Sequence, residues 1–345
     1  MTRTRLADNS TVEPRRLIAT LEDGLAKCFG NSSQIIELKR RPSPYRTSFA
    51  LEELKVRLRN GMKLKLLFKN CGRNALSAEA AHAKPAFLSD PARELEVYAH
   101  FLEPADFGTA VLYGSLVDEP HGVFGLFLEH VRGRELYQFG ELRLWEAAAR
   151  WLARFHAHFR AAQLTVGAGH LLRLDANLCR TWLERANRMV EESDIPTGPA
   201  AAWISIFAAY VATIDRLSTL PATLIHGEFF ASNVLVADSK RTVRICPIDW
   251  EMGGVGPGLL DLAALVAGSW SEDQKATLAR TYREEFESNG LIGWETEREF
   301  WFDVSVCRLH LAVQRIGWAS EWTPPPEHRN DWWDDAAQLA RKIIG

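Results

Sequence analysis

A carboxylate, an amide and a second carboxylate follow one another closely in the second half of this sequence, within the stretch LIHGEFFASNVLVADSKRTVRICPIDWEMGGVGPGLLD. Glu228 precedes Asn233 by five residues, and Asp249 follows Asn233 by sixteen. Phosphoryl transfer requires one group that orients the attacking hydroxyl and two oxygen ligands that hold Mg²⁺ on the nucleotide phosphates. Glu228 suits the first task, and Asn233 with Asp249 suits the second. Alone, the amide could belong to a turn and the aspartate could cap a strand, so the prediction depends on their combination.

A short β-hairpin must bring the amide and the second carboxylate together. The sequence predicts it over residues 233–248, turned around 237–240, and predicts no other strand after Leu142. The segment LWEAAARWLARFHAHF repeats its apolar residues at helical spacing and is rich in residues that favour a helix. Further helices are predicted over 259–267, 271–288, 295–318 and 330–344.

The first third of the chain is predicted to be rich in strands. An apolar stripe at four-residue steps, from Leu17 to Phe29, indicates a helix over 12–29. Strands are predicted over 35–39, 48–58, 63–69, 110–116 and 122–131. The dipeptide Asn60-Gly61 is a strong hairpin signal between the second and third of them.

A helix is predicted over 90–102, with Asp90 as its cap and Pro91 near its first turn. Strands that come first and helices that come second indicate an α+β protein with two lobes. We expect residues 1–130 to form a small lobe with an antiparallel sheet, and residues 131–345 to form a larger, mostly helical lobe.

Composition excludes several classes of protein. The 345 residues are 47% apolar and 25% charged, as in ordinary soluble proteins, and the net charge of −3 gives no reason to expect a nucleic-acid partner. The five cysteines form no CxxC pair, and the first residues lack the apolar core of a secretory signal, so a cytoplasmic location is expected. No apolar run of about 18 residues predicts a membrane span. The oligomeric state is left open.

The stretch around Glu228 resembles a known family. HGEFFASNVLV is similar to the H-G-D-x-x-x-x-N catalytic loop of the aminoglycoside phosphotransferase and choline kinase group, PIDWE to its I-D-[WF]-E segment, and GVGPGLLDLA to its G-x-P-x-x-D-L-A stretch. The resemblance implies a two-lobed protein-kinase-like fold, in which Asn233 and Asp249 hold Mg²⁺. It also implies that His226 holds the loop by hydrogen bonds and that Asp261 is a buried anchor for the loop backbone.

In the N-terminal third the resemblance depends on single residues. Lys69, at the end of an apolar run, fits the strand lysine that contacts the α- and β-phosphates, and Lys65 on the same side of the strand is the alternative. Glu94 lies in a stretch similar to the family's R-E-x-x-x-Y pattern and fits the acid that pairs with that lysine. Glu96 is the alternative acid.

Other nucleotide contacts are expected from backbone and hydroxyl groups. By analogy with the family, the strand over 122–131 leads to the backbone groups that meet the adenine edge, at Glu129, His130 and Val131. No glycine-rich phosphate loop is present after the first strand, although glycine would let backbone N–H groups approach phosphate closely. The donors expected there instead are Ser43, Arg46, Thr47 and Ser48.

Glu228 stands where the family's loop has an aspartate. The extra methylene moves the carboxylate by roughly 1.5 Å, one C–C bond. A displacement near 1 Å can cost roughly 10²-fold in rate if the site is otherwise unchanged. Either the loop or the acceptor therefore suits the longer side chain, or the activity is weak or lost, and the intact metal pair favours the first of these.

The sequence thus predicts an ATP- and Mg²⁺-dependent kinase that acts on a hydroxyl of a small metabolite. The alternative is a nucleotide-binding pseudokinase with a regulatory or partner-binding role, which Glu228 and the missing glycine loop would suit. A protein kinase is disfavoured because no A-P-E signature follows Asp249. The acceptor, and the choice between ATP and GTP, are left open.

Overall fold

Strands and helices are segregated along the chain and fall into two units, Met1–Arg132 and Gly133–Gly345. The computed structural model describes residues 12–30, 33–44, 48–49, 51–160, 164, 169–192, 197–238, 242–268, 270–290, 294–318 and 332–344. The first unit holds a five-stranded sheet and the second holds most of the helices, so the predicted α+β class is confirmed.

The sheet of the first unit is antiparallel, with its strands in the order β1-β2-β3-β5-β4. Its strands are β1 Ile35–Pro42, β2 Leu51–Leu58, β3 Lys63–Asn70, β4 Leu112–Asp118 and β5 Val123–Glu129. All five predicted strands exist, but the first continues three residues further than predicted and the second begins at Leu51 rather than at residue 48. The Asn60-Gly61 turn joins β2 to β3 as predicted, with Gly61 at a φ of 86° that suits glycine.

Helix α1, Pro14–Phe29, covers one face of this sheet. Its stripe of Leu17, Leu21 and Leu25 is fully buried against apolar side chains from the strands. Gly24 lies so close to the backbone of β4 that a Cβ would collide with the carbonyl oxygen of Tyr113. The glycine therefore allows the close approach of the helix to the sheet.

The helix predicted over 90–102 is shorter at its start and irregular within. Asp90 does not cap it directly, because its carboxylate accepts the N–H of Ala92 in a turn that also contains Pro91. The helical segments are α3 Arg93–Glu96, a π-helical turn Val97–Leu102, and α4 Glu103–Ala105, preceded along the chain by α2 Ala78–Ala83. A π-turn changes hydrogen-bond spacing and not the apolar pattern, so a pattern of apolar residues does not reveal it.

The second unit is built mainly from helices. They are α5 Leu142–His158, α6 Ala176–Glu192, α7 Thr197–Thr219, α8 Leu259–Leu265, α9 Glu272–Ser288, α10 Glu297–Trp318 and α11 Trp332–Ile344. The start of α9 is fixed by a capping box, in which the hydroxyl of Ser271 accepts from the N–H of Gln274 and the Gln274 side chain accepts from the N–H of Ser271.

Two small sheets complete the second unit. The predicted hairpin is present as β9 Val234–Asp238 and β10 Val243–Pro247, and β6 Arg134–Glu135 adds a third strand to it. A second sheet joins β7 Leu172–Arg173, β11 Gly254–Pro257 and β8 Ala222–Ile225. The prediction that the hairpin was the only strand content here was wrong, since strands of two to four residues are too short to show a period in the sequence.

Several of the tryptophans fill the core of the second unit, among them Trp151, Trp182 and Trp250. Within the described residues, no helix combines the length and the apolar character that crossing a membrane would require.

Candidate active site

The loop that carries Glu228 is anchored by the buried carboxylate of Asp261 in α8. Its Oδ2 accepts the backbone N–H of His226 at 2.6 Å, and its Oδ1 accepts that of Gly227 at 2.8 Å. Gly227 has a φ of 83°, and a Cβ there would collide with the carbonyl oxygen of Met252, so the loop needs glycine at this position. The backbone is thereby fixed immediately before Glu228.

A buried chain of hydrogen bonds supports Asp261 in turn. His156 Nε2 lies 3.2 Å from Asp261 Oδ2, and His156 Nδ1 lies 2.9 Å from the hydroxyl of Tyr282. Burial, and then the negative charge of Asp261, raise the pKa of Tyr282 well above its ordinary value. The hydroxyl therefore stays protonated and can donate to Nδ1, which leaves the Nε2–H of the imidazole to donate to the carboxylate.

His226 links this loop to the strand that precedes Asp249. Its Nε2 lies 2.9 Å from the carbonyl oxygen of Ile248, and its Nδ1 lies 3.3 Å from the backbone nitrogen of Glu228. One tautomer satisfies both bonds, with the proton on Nε2 and Nδ1 as acceptor. The ring also packs against Trp250, with centroids 4.5 Å apart. These contacts make His226 a structural part of the loop.

Asn233 and Asp249 stand at the open end of the predicted hairpin. The register pairs Val234 with Pro247, and the N–H of Ile248 donates to the carbonyl oxygen of Asn233 at 2.9 Å. The Asn233 side-chain N–H donates to the carbonyl oxygen of Glu228 at 3.0 Å, which leaves its Oδ1 as the atom able to bind a cation. Asp249 follows with a φ of 67°, a left-handed conformation that aspartate tolerates better than most residues.

Glu228 itself makes an ion pair that the sequence did not predict. Arg315 Nη2, from α10, donates to Glu228 Oε1 at 2.9 Å. The arginine and the glutamate side chains are only 10% and 16% exposed. The carboxylate therefore lies in a largely shielded position beside the loop.

In the first unit, the structure pairs Lys69 with Glu94. Lys69 Nζ lies 2.6 Å from Glu94 Oε2, and the two side chains are 11% and 2% exposed. The thiol of Cys71 also contacts Glu94 Oε2, at 3.4 Å. The alternative lysine, Lys65, has other partners: its Nζ lies 2.8 Å from His130 Nε2 and 3.4 Å from a carboxylate oxygen on β2.

The backbone N–H groups expected at the adenine edge all donate within the first unit. Those of Glu129, His130 and Val131 donate to the carbonyl oxygens of Val111, Lys65 and Glu129 respectively, at 2.8, 3.3 and 3.1 Å. Carbonyl oxygens have two lone pairs, so they are the more available groups of this segment for a ligand.

The predicted phosphate-loop residues are only partly described. Ser43 is buried and its N–H donates to the carbonyl oxygen of Leu51 at 2.8 Å, whereas the carbonyl oxygen of Ser48 accepts the N–H of Ser77 at 2.9 Å. Arg46 and Thr47 lie outside the described residues. The contribution of this segment to phosphate binding stays a prediction.

A family model for the phosphotransferase enzyme family matches residues 77–300 of this chain. The chain belongs to the phosphotransferase enzyme family. The match includes Glu94 and the loop from His226 to Asp261, whereas Lys69 and Arg315 lie outside it. No curated protein matches this family member by sequence.

Solved structures share the fold at low sequence identity. A microcompartment-associated aminopropanol kinase is 14% identical with a TM-score of 0.57, over 92% of this chain and 93% of that chain. A choline kinase from Cryptosporidium parvum Iowa II is 13% identical with a TM-score of 0.54, over 96% and 94%. An ADP-bound aminoglycoside phosphotransferase is 14% identical with a TM-score of 0.50, over 94% and 97%. The predicted protein-kinase-like fold and the resemblance to this group of enzymes are confirmed.

Sequence reasoning did not identify His156, Tyr282 or Arg315 as parts of the loop region. His156 offered a weak signal, since it lies on the apolar face of a predicted helix, where a polar side chain needs a partner. Arg315 offered none, because it is 87 residues from Glu228 and its partner follows from helix packing.

Proposed function

We propose that this protein transfers the terminal phosphate of ATP, in the presence of Mg²⁺, to a hydroxyl group of a small molecule. The observation that carries the proposal is the arrangement around Glu228. The loop is fixed by Asp261, and His226 ties it to the strand before Asp249. The amide of Asn233 is hydrogen-bonded to the same loop.

Glu228 is the proposed catalytic residue. A carboxylate at this position can accept a hydrogen bond from the acceptor hydroxyl, orient its oxygen for in-line attack on the terminal phosphate and take up the proton as the new P–O bond forms. In the same reaction the bond breaks between the terminal phosphorus and the oxygen that bridges the β- and γ-phosphates of ATP, and that oxygen leaves with ADP. Fixing the loop backbone reduces the freedom of the carboxylate, which favours catalysis by positioning.

The residues fit Mg²⁺ by the chemistry of their donors. Asn233 Oδ1 and the carboxylate of Asp249 are hard oxygen ligands, and Mg²⁺ is usually bound by one or two protein groups together with waters and phosphate oxygens. When bound, the ion neutralises negative charge on the phosphates. Because the NH₂ group of Asn233 donates to the carbonyl oxygen of Glu228, the Oδ1 atom points the other way and can serve as the ligand.

Lys69 is the proposed phosphate contact of the first unit. Its shielded ion pair with Glu94 fixes the direction of a long flexible side chain, so less freedom remains to be lost when phosphate oxygens bind. Backbone groups at Glu129, His130 and Val131 are proposed to contact the nucleotide base.

The acceptor can be identified with a panel of named compounds. Purified protein with ATP and Mg²⁺ is incubated separately with choline, ethanolamine, 1-amino-2-propanol, glycerol, ribose, inositol and streptomycin, and ADP formation is compared with the rate without acceptor. Stimulation by one of them that is strongly reduced in Glu228→Gln supports the proposal. ATP binding by thermal shift without any stimulated turnover would instead favour the pseudokinase, and unchanged turnover in Glu228→Gln would exclude the role of this residue.

A further inference from the structure

Arg315 makes a shielded contact with the proposed catalytic carboxylate. Its Nη2 donates to Glu228 Oε1 at 2.9 Å, and both side chains are mostly removed from solvent. Shielded ion pairs are screened by salt much less than exposed ones, and hydrogen bonds between two ionised groups are among the strongest in proteins. This contact therefore differs from the surface ion pairs elsewhere in the second unit.

The guanidinium of Arg315 contacts two aromatic rings. It lies 4.4 Å from the ring centroid of Phe230, in the same loop as Glu228, and 5.5 Å from that of Trp318. Trp318 in turn stacks on Trp182, with centroids 5.4 Å apart. Cation–π contacts on a planar guanidinium fix its orientation as well as its position.

The backbone of Glu228 is fixed on both sides. Its N–H donates to His226 Nδ1, and its carbonyl oxygen accepts from the N–H of Phe230 at 2.7 Å and from Asn233 Nδ2 at 3.0 Å. These backbone contacts do not fix the side chain, which has one more rotatable bond than the aspartate of the family motif and so keeps more rotational freedom. The bond from Arg315 to Oε1 removes it and leaves Oε2 as the oxygen that can meet an acceptor hydroxyl.

We propose that Arg315 is a positioning residue for Glu228, and that this anchor is what makes the longer carboxylate suitable at this position. The inference rests on the proposed function. Arg315 acts through Glu228, so its removal should lower kcat and leave the KM for the acceptor unchanged. If Arg315 bound the acceptor itself, the KM would rise instead.

The test is a double-mutant cycle, with the compound of the panel above that gives the highest rate as acceptor. We expect Arg315→Met to lower kcat by about 10²-fold in the protein with Glu228, because a displaced carboxylate costs about that much. In the Glu228→Gln background, where no carboxylate remains to be placed, the same substitution should change kcat by no more than about twofold. Arg315→Lys keeps the positive charge but lacks the planar donor pair. In the protein with Glu228, its loss of kcat should therefore be smaller than that of Arg315→Met but still measurable.

Arg308→Met is the matched control, because Arg308 lies two turns earlier on α10, is similarly shielded and pairs with Glu272 at 3.6 Å. It should leave kcat unchanged. Equal losses from Arg315→Met in both backgrounds, no loss at all, or a raised acceptor KM with unchanged kcat would each overturn the role of Arg315 alone. A folded wild-type protein that transfers phosphate to none of the seven compounds overturns the proposed function and this role with it. If Arg315→Met does not fold, the lysine variant decides by the same comparison.

Discussion

Asp261 Oδ2 accepts the backbone N–H of His226 at 2.6 Å, from 35 residues further along the chain. The same carboxylate accepts a second N–H through its other oxygen and contacts the imidazole of His156. One buried side chain thus satisfies three polar groups of the second unit. The loop that carries Glu228 depends on this carboxylate for its position.

Replacing Asp261 with asparagine should destabilise the protein strongly. The NH₂ group of asparagine is a donor, so at least one of the N–H groups that now donate to Asp261 would lose its acceptor. We therefore expect the free energy of unfolding to fall by about 2–4 kcal/mol. Urea denaturation followed by circular dichroism measures it. Asp215→Asn, at an exposed position on α7, is the control and should change the value by less than about 0.5 kcal/mol. If both variants lost a similar amount of unfolding free energy relative to the wild type, the anchoring role of Asp261 would be contradicted.

Replacing Glu228 with aspartate should lower the activity, although aspartate is the residue of the family motif. The carboxylate would retract by roughly 1.5 Å, one C–C bond, and lose the contact with Arg315 that holds it. We expect kcat to fall by about 10- to 100-fold. Steady-state kinetics with the best acceptor of the panel checks this, and a kcat equal to or above that of the wild type would show that the longer side chain is not required.

Lys69→Met should weaken ATP binding, whereas Lys65→Met should not. Loss of a charged hydrogen-bond donor to phosphate is expected to raise the KM for ATP by about 10- to 100-fold. Lys65, which contacts His130 and a β2 carboxylate, is the matched control from the same strand. The KM for ATP of Lys65→Met should stay within about twofold of the wild-type value. The reverse result would assign the phosphate contact to Lys65. Melting temperatures of both variants are needed, because Lys69→Met also leaves the buried Glu94 without its cation.

Asp249→Asn should raise the Mg²⁺ concentration that the protein requires. We expect the concentration for half-maximal activity to increase by about 10- to 100-fold, the range in which metal sites respond to loss of supporting groups. The Mg²⁺ dependence of the thermal shift produced by ATP gives a second measurement that needs no turnover. Asp238→Asn is the control, because Asp238 lies at the other end of the same hairpin and pairs with Arg143 at 2.7 Å. An unchanged Mg²⁺ requirement in Asp249→Asn would remove this residue from the metal site.

The buried His310 should make the protein less stable as the pH falls below neutrality. Burial lowers the pKa of His310 from its ordinary value of 6.5 to about 4, and the ring is hydrogen-bonded to the hydroxyl of Tyr210. As the pH falls through 6.5, the unfolded chain binds a proton that the folded protein does not bind until about pH 4. Stability is therefore lost across this window, by about 3 kcal/mol for this group.

Measuring the free energy of unfolding between pH 7 and pH 4 in His310→Gln and in the wild type isolates this contribution. The free energy of unfolding of His310→Gln should fall less steeply than that of the wild type, because glutamine does not titrate between pH 7 and pH 4. His82→Gln, which removes an exposed histidine, should follow the wild type. Parallel curves for His310→Gln and the wild type would mean that other groups cause the pH dependence.

Much of the fold was predictable because its signals are local. The strands of the first sheet, the turn at Asn60-Gly61 and the helices from α8 onward each have an apolar period or a capping residue within a few positions of their ends. The predictions failed where the structure departs from a local period. The π-turn from Val97 to Leu102 keeps the apolar pattern of an ordinary helix, and β7, β8 and β11 are too short to have a pattern of their own.

The sequence by itself determined the family, the loop from His226 to Asn233 and the hairpin that leads to Asp249, because these residues are close in the chain and their spacing reflects their geometry. Only the tertiary structure decided that Asp261 is supported by His156 and Tyr282, and that Arg315 contacts Glu228. These partners are separated by about one hundred residues, and their side chains meet because helices pack on a shared core. Helix packing depends on the combined shape of many side chains, and no short stretch of sequence contains that information.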